Sequence, residues 1–80
     1  MKITILAFGI AKEIFNSSSI ELDVQEEITV AVLKSILETR YPKMSNLSSY
    51  MIALNNEYAE DDMVVHSVDE MAIIPPVSGG

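Results

Sequence analysis

The opening segment Lys2-Ile3-Thr4-Ile5-Leu6-Ala7-Phe8 alternates, with Ile3, Ile5 and Ala7 on one face and Thr4, Leu6 and Phe8 on the other. Such a period of two predicts a β-strand ended by Gly9, covered on both sides near its end. Ile10, Ala11, Ile14 and Phe15 then recur at helical spacing, and Asn16-Ser17-Ser18-Ser19 breaks this two-turn helix. Ile20-Glu21-Leu22-Asp23-Val24 alternates strictly, which predicts a return strand with one wet face.

The main helix is predicted from Thr29, a residue type whose hydroxyl can cap the first free N–H groups, with Ile28 and Leu33 at the spacing of a hydrophobic staple. Val30, Leu33, Leu37 and Tyr41, with Ile36 beside them, form its apolar stripe; Lys34, Glu38 and Thr39 form its wet face, and Pro42 stops it. Lys43 to Ser49 reads as polar loop. Tyr50 to Leu54 is a strand, and Asn55-Asn56 supplies the two left-handed residues of a type I′ turn into Glu57-Tyr58-Ala59. Glu60-Asp61-Asp62 is a solvated turn, Met63 to Val65 packs it down, and His66 to Asp69 turns again. Met71-Ala72-Ile73-Ile74 is the last buried strand, which Pro75-Pro76 cannot continue.

The order β, short α, β, α, β, β, β gives an α+β domain of the β-grasp kind: a mixed sheet of about five strands under one main covering helix. Residues 1–74 form this domain and 75–80 an extended, flexible C-terminal tail. With 80 residues there is room for one domain and no large enclosed active site. Cysteine is absent, which removes disulfides, thiolate metal sites and any thiol nucleophile; a single histidine, His66, leaves no His-rich metal site. Five Lys and Arg against twelve Asp and Glu give a net charge of −7, which repels nucleic acid and favours a basic protein partner. The longest apolar run is far short of the ~20 residues that span a bilayer, so no membrane association is expected and the cytoplasm is the expected location.

Catalytic constellations are missing. No Ser/His/Asp set or glycine-rich phosphate loop occurs, His66 reads as a solvated turn residue because a general base needs a second positioned group, and Glu60-Asp61-Asp62 lacks calcium-loop spacing. Tyr58 and Ile74 read equally as core or as an exposed apolar patch beside the tail.

The tail carries the chemistry. Two of the three glycines are Gly79 and Gly80, a pairing expected by chance in roughly 0.5% of chains at average glycine usage. Pro75-Pro76 stiffens the segment that lifts them from the domain, Val77-Ser78 follows, and glycines present the narrowest cross-section to a partner's channel. A carboxylate there is a poor electrophile and needs activation, most simply as an acyl-adenylate made with ATP by another enzyme.

Asp69-Glu70-Met71-Ala72-Ile73-Ile74-Pro75-Pro76-Val77-Ser78-Gly79-Gly80, with Ala53-Leu54-Asn55-Asn56-Glu57-Tyr58 and Phe8-Gly9-Ile10-Ala11-Lys12-Glu13, resembles the small sulfur-carrier subunits of molybdopterin synthase, within the ubiquitin-like β-grasp superfamily. The resemblance implies that an E1-like activating enzyme adenylates Gly80, a sulfurtransfer step makes it a thiocarboxylate, and the large catalytic subunit uses it on cyclic pyranopterin monophosphate. It implies a carrier that is no enzyme alone and binds no cofactor or metal, ATP being used by the activating enzyme. It also implies a docking face with Phe8, Lys12, Tyr58 and Ile74, continued by Pro75, Pro76, Val77 and Ser78 to Gly79 and Gly80, in an assembly of two heterodimers. Val68 departs from the family, which commonly has glycine there, and the sequence leaves open whether the turn before the last strand differs. A thiamine-type sulfur carrier, a ubiquitin-like modifier and a plain interaction module with an inert tail are the competing readings.

Overall fold

The structure is a computed structural model that describes residues 1–47 and 49–75. Five strands, β1 (Lys2–Ala7), β2 (Ser19–Asp23), β3 (Met51–Leu54), β4 (Glu57–Tyr58) and β5 (Met71–Ile74), form one sheet in the order β2-β1-β5-β3-β4. β1 and β5 run parallel at its centre and the other pairs are antiparallel. Two helices, α1 (Ile10–Phe15) and α2 (Val30–Arg40), and a 3₁₀ segment over Pro42–Asn46 complete it. This is the ubiquitin-like β-grasp fold.

The alternation of β1 decides which side faces the helix. Ile3, Ile5 and Ala7 are buried with Leu33, Leu37, Ile52 and Ile73 in one core. Among the described residues no second layer covers the opposite side: Phe8 stays 50% exposed and Leu6 is half-buried. The expectation of a strand covered on both faces near its end is therefore corrected, because an eighty-residue chain provides one covering layer only.

Thr29 caps α2 as its position predicts, its Oγ1 accepting from the Val32 N–H at 3.3 Å. Ile28 and Leu33 both join the core, so the staple and the cap fix one helix start. α2 ends at Arg40, since Pro42 bars the preceding residue from helical backbone, and Tyr41 sits at φ −129°. The next segment is not the polar loop expected from its composition. It coils into the 3₁₀ segment and puts Met44 fully in the core. Tyr41 lies against Phe15 with ring centroids 4.6 Å apart, joining the two helix ends.

Asn55 and Asn56 have φ 53° and 70°, the two left-handed positions of the predicted hairpin turn between β3 and β4. After β4 the chain is strapped to α2: Val30 N–H donates to Met63 O, Val65 N–H to Ile28 O, and Lys34 pairs with Asp61 at 3.0 Å. Of Met63 to Val65, only Val65 is buried; the other two remain about 40% exposed.

Candidate functional site

Strand register assembles the site. Leu6 stands opposite Ala72, Ala72 opposite Ala53, and Ala53 opposite Tyr58, so four side chains make one row across β1, β5, β3 and β4 on the open face. Two alanines in the middle, flanked by a leucine and a tyrosine, leave a depression where larger residues would fill the space. The next register pair, Ile74 with Met51, extends the apolar surface toward the end of β5. The resulting trough holds about 300 Å³ and is lined by Leu6, Phe8, Ala53, Tyr58, Ala72 and Ile74, with Asn56 and Glu70 at its polar rim.

Three of the four docking residues inferred from sequence thus share one trough: Phe8, Tyr58 and Ile74. Tyr58, which reads from sequence equally as core or patch, is 66% exposed and belongs to the patch. Lys12 lines a neighbouring depression of about 400 Å³ with Leu6, Ala7, Phe8, Gly9, Ser18 and Ser19. Leu6 and Phe8 form the wall between the two, so a positive charge stands beside an apolar surface with an acidic rim. The sequence reading missed Leu6, Ala53, Ala72 and Met51; the period of two, carried from β1 through β5 to β3, would have placed them on Tyr58's side.

Pro75 closes the central strand at the edge of this surface and packs on the loop after β1. Gly9 there has φ 55° and ψ −130°, outside what a side chain tolerates readily, and a methyl on its Cα would lie 3.2 Å from Pro75 Cγ. The loop bearing Phe8 and the exit of the last strand are therefore in direct contact. Pro76, Val77, Ser78, Gly79 and Gly80, expected to be the reactive arm, lie outside the described residues.

A hydrogen-bonded turn fixes the entry to β5 as Gly9 fixes its exit. Asp69 accepts from His66 N–H at 2.8 Å and from Asn55 Nδ2 at 3.0 Å, while Asn55 Oδ1 accepts from Glu70 N–H at 3.0 Å. Partial burial pushes the Asp69 carboxyl up, but the hydrogen bonds from His66 and Asn55 and the nearby imidazole outweigh it, and the net shift is downward. Val68 sits in this turn 90% exposed, and its φ is not positive, so no glycine is needed. His66 contributes its backbone to the turn and its side chain is exposed, as a turn residue rather than a general base. Among the described residues no cluster of His, Asp or Glu could hold a metal ion, and no helix is long and apolar enough to cross a membrane. Among the described residues the site is an apolar trough with a cation, Lys12, in the depression next to it.

A family model described as the ThiS family matches residues 5–80. The molybdopterin synthase sulfur carrier subunit of Dictyostelium discoideum is 41% identical over 80 residues, spanning 95% of this chain and 93% of its own length. SAMP1 from Haloferax volcanii superposes with a TM-score of 0.83 at 25% identity, covering 100% of both chains. A chain in the complex of subunits 1 and 2 of the molybdopterin-converting factor from Helicobacter pylori shares the fold, with a TM-score of 0.69 at 22% identity and 100% of both chains covered.

Proposed function

The chain belongs to the ThiS family, and on that premise we propose that it is the sulfur carrier of a molybdopterin synthase, holding sulfur on the carboxyl group of Gly80. The observation that carries this reading is the position of Pro75. It directly follows Ile74, which ends the central strand and lines the apolar trough, and the sequence continuing from it is Pro76-Val77-Ser78-Gly79-Gly80. The Dictyostelium relative, a sulfur carrier subunit by name, matches along nearly the whole chain.

The reaction sequence follows from carboxylate chemistry. On an E1-like activating enzyme, a Gly80 carboxylate oxygen attacks the α-phosphorus of ATP and pyrophosphate leaves. A sulfur nucleophile at the oxidation level of hydrosulfide then adds to the acyl carbon and AMP leaves, which makes a thiocarboxylate without change of oxidation state. Within the synthase the thiocarboxylate gives its sulfur to cyclic pyranopterin monophosphate, and water supplies the oxygen that restores the carboxylate. This chain binds no cofactor and contributes no acid or base. Its trough docks the large catalytic subunit, a reading supported by a chain of the same fold that occurs in a complex of subunits 1 and 2 of the molybdopterin-converting factor, and Gly79 and Gly80 let the arm pass where a side chain would clash.

Intact mass of the carrier after incubation with ATP, the activating enzyme and a sulfide source tests the proposal. The expected product has sulfur in place of one carboxyl oxygen, mapped to the peptide containing Gly80. No mass change, or sulfur mapped to a methionine, would overturn it.

A further inference from the structure

The outer side of α2 carries a second surface, on the layer of the fold away from the trough. α2 has three sides. Val30, Leu33 and Leu37 enter the core; Lys34 and Glu38 are engaged by Asp61 at 3.0 Å and by the Tyr50 hydroxyl at 2.8 Å; on the remaining side Ile36 packs partly against the core, while Val32, Ser35, Thr39 and Arg40 are exposed. That third side is a stripe of Val32, Ser35, Ile36, Thr39 and Arg40 along a shallow cavity of about 250 Å³, with Val32 45% exposed. Arg40 also lines a second cavity of about 190 Å³ with Ile14, Tyr41, Pro42 and Lys43. One continuous path therefore runs from an apolar start at Val32 to a basic end at Arg40 and Lys43.

Charge selects the occupant. On a chain of net charge −7 with five cations, Arg40 and Lys43 are the one pair close in sequence, and both are exposed. Lys34 is spent on Asp61, Lys12 belongs to the depression beside Phe8, and Lys2 lies on β1. The nearest carboxylate along α2, Glu38, is turned to Tyr50 on the neighbouring side and does not neutralise Arg40. We propose that this stripe docks an acidic peptide segment of a partner protein, with one bulky apolar side chain seated at Val32 and Ile36 and carboxylates meeting Arg40 and Lys43. The acidic remainder of the surface disfavours such a segment, and Arg40 with Lys43 offers it more positive charge than the single Lys12 beside the trough. Because α2 and the trough lie on opposite sides of the core, the segment binds without displacing a partner from Phe8, Tyr58 and Ile74. The proposal stands apart from the sulfur-carrier reading, since none of its residues belongs to the trough or the arm.

The test is a backbone NMR titration of the full chain with a synthetic peptide of one leucine flanked by aspartates, at low salt. Shifts are expected at Val32, Ile36, Thr39, Arg40 and Lys43, with Phe8, Tyr58 and Ile74 unmoved. Arg40→Glu with Lys43→Glu should weaken binding by on the order of tenfold, since an exposed ion pair contributes up to about fivefold and two are reversed. Raised salt should weaken binding to the unaltered chain, which keeps the test decisive should the double variant fold poorly. Three results overturn the proposal: no shifts at millimolar peptide, shifts centred on the trough, or the same stripe shifting on concentrating the protein alone, which would make the occupant a second copy.

Discussion

Gly9 and Pro75 meet just beyond the ends of the two central strands: a methyl group at Gly9 would stand 3.2 Å from Pro75 Cγ, at a backbone φ of 55°. Both the space and the conformation argue for glycine, so Gly9→Ala should lower stability by about 1–3 kcal/mol, the usual cost of a side chain in a sparsely populated backbone region. Chemical denaturation measures it. An alanine variant as stable as the parent would show that the loop relaxes without resistance.

The turn before β5 should report itself in acid. The Asp69 carboxyl titrates below its ordinary value of 3.8 in the fold, so its contribution is fully present above that value and is lost as pH falls through the folded pKa. Stability curves of the parent and Asp69→Ala should therefore differ at neutral pH and converge in strong acid. Parallel curves down to the lowest pH would assign the turn's stability to something other than this carboxylate.

At the alkaline end the sign reverses. Burial first, then the hydrogen bond to Glu38 and the charges of Glu38 and Asp61, push the Tyr50 hydroxyl well above 10.0. Its contribution is present below that value and is lost as pH climbs through the higher folded pKa. Tyr50→Phe removes the hydroxyl and should flatten the alkaline decline, and absorbance titration of the phenolate checks the direction.

Docking kinetics should separate charge from apolar contact. Ile74→Ala and Tyr58→Ala should speed dissociation from the large synthase subunit, each by an amount typical of an interface anchor, on the order of 1–3 kcal/mol. Added salt should slow association, and Lys12→Glu should weaken binding although it adds to the acidity that steers encounter. Association rates indifferent to salt, or tighter binding by the Lys12→Glu variant, would move the docking face elsewhere.

How much of this was legible beforehand follows from how local each signal is. Asn55-Asn56 and Thr29 act through their own backbone or that of the next turn, and both stand where the sequence alone puts them. Met44 is the counter-example. It lies among Lys43, Ser45 and Asn46, and only the approach of α2 and the chain around it makes that position interior; Met44→Ala should cost about 2–5 kcal/mol in denaturation. Phe8 and Leu6 mislead in the opposite direction, because apolar character gives no indication of whether this chain or a partner covers it. The residues expected to dock a partner were named through resemblance, whereas the trough became legible only through register, since nothing in Ala53 or Ala72 by itself announces a depression.

The placement of β5 bears on the order of assembly. It is the last of the five strands to be synthesised, yet it occupies the middle of the sheet, between β1 and β3. Until it is inserted, β1 and β3 have no hydrogen-bonded neighbour between them, and contacts distant along the chain wait on it. The strand that completes the domain is also the one from which Pro75 leads outward. A folding intermediate caught before this insertion therefore has neither a closed sheet nor a finished trough, so any partner that recognises the trough would act only on chains that have finished folding.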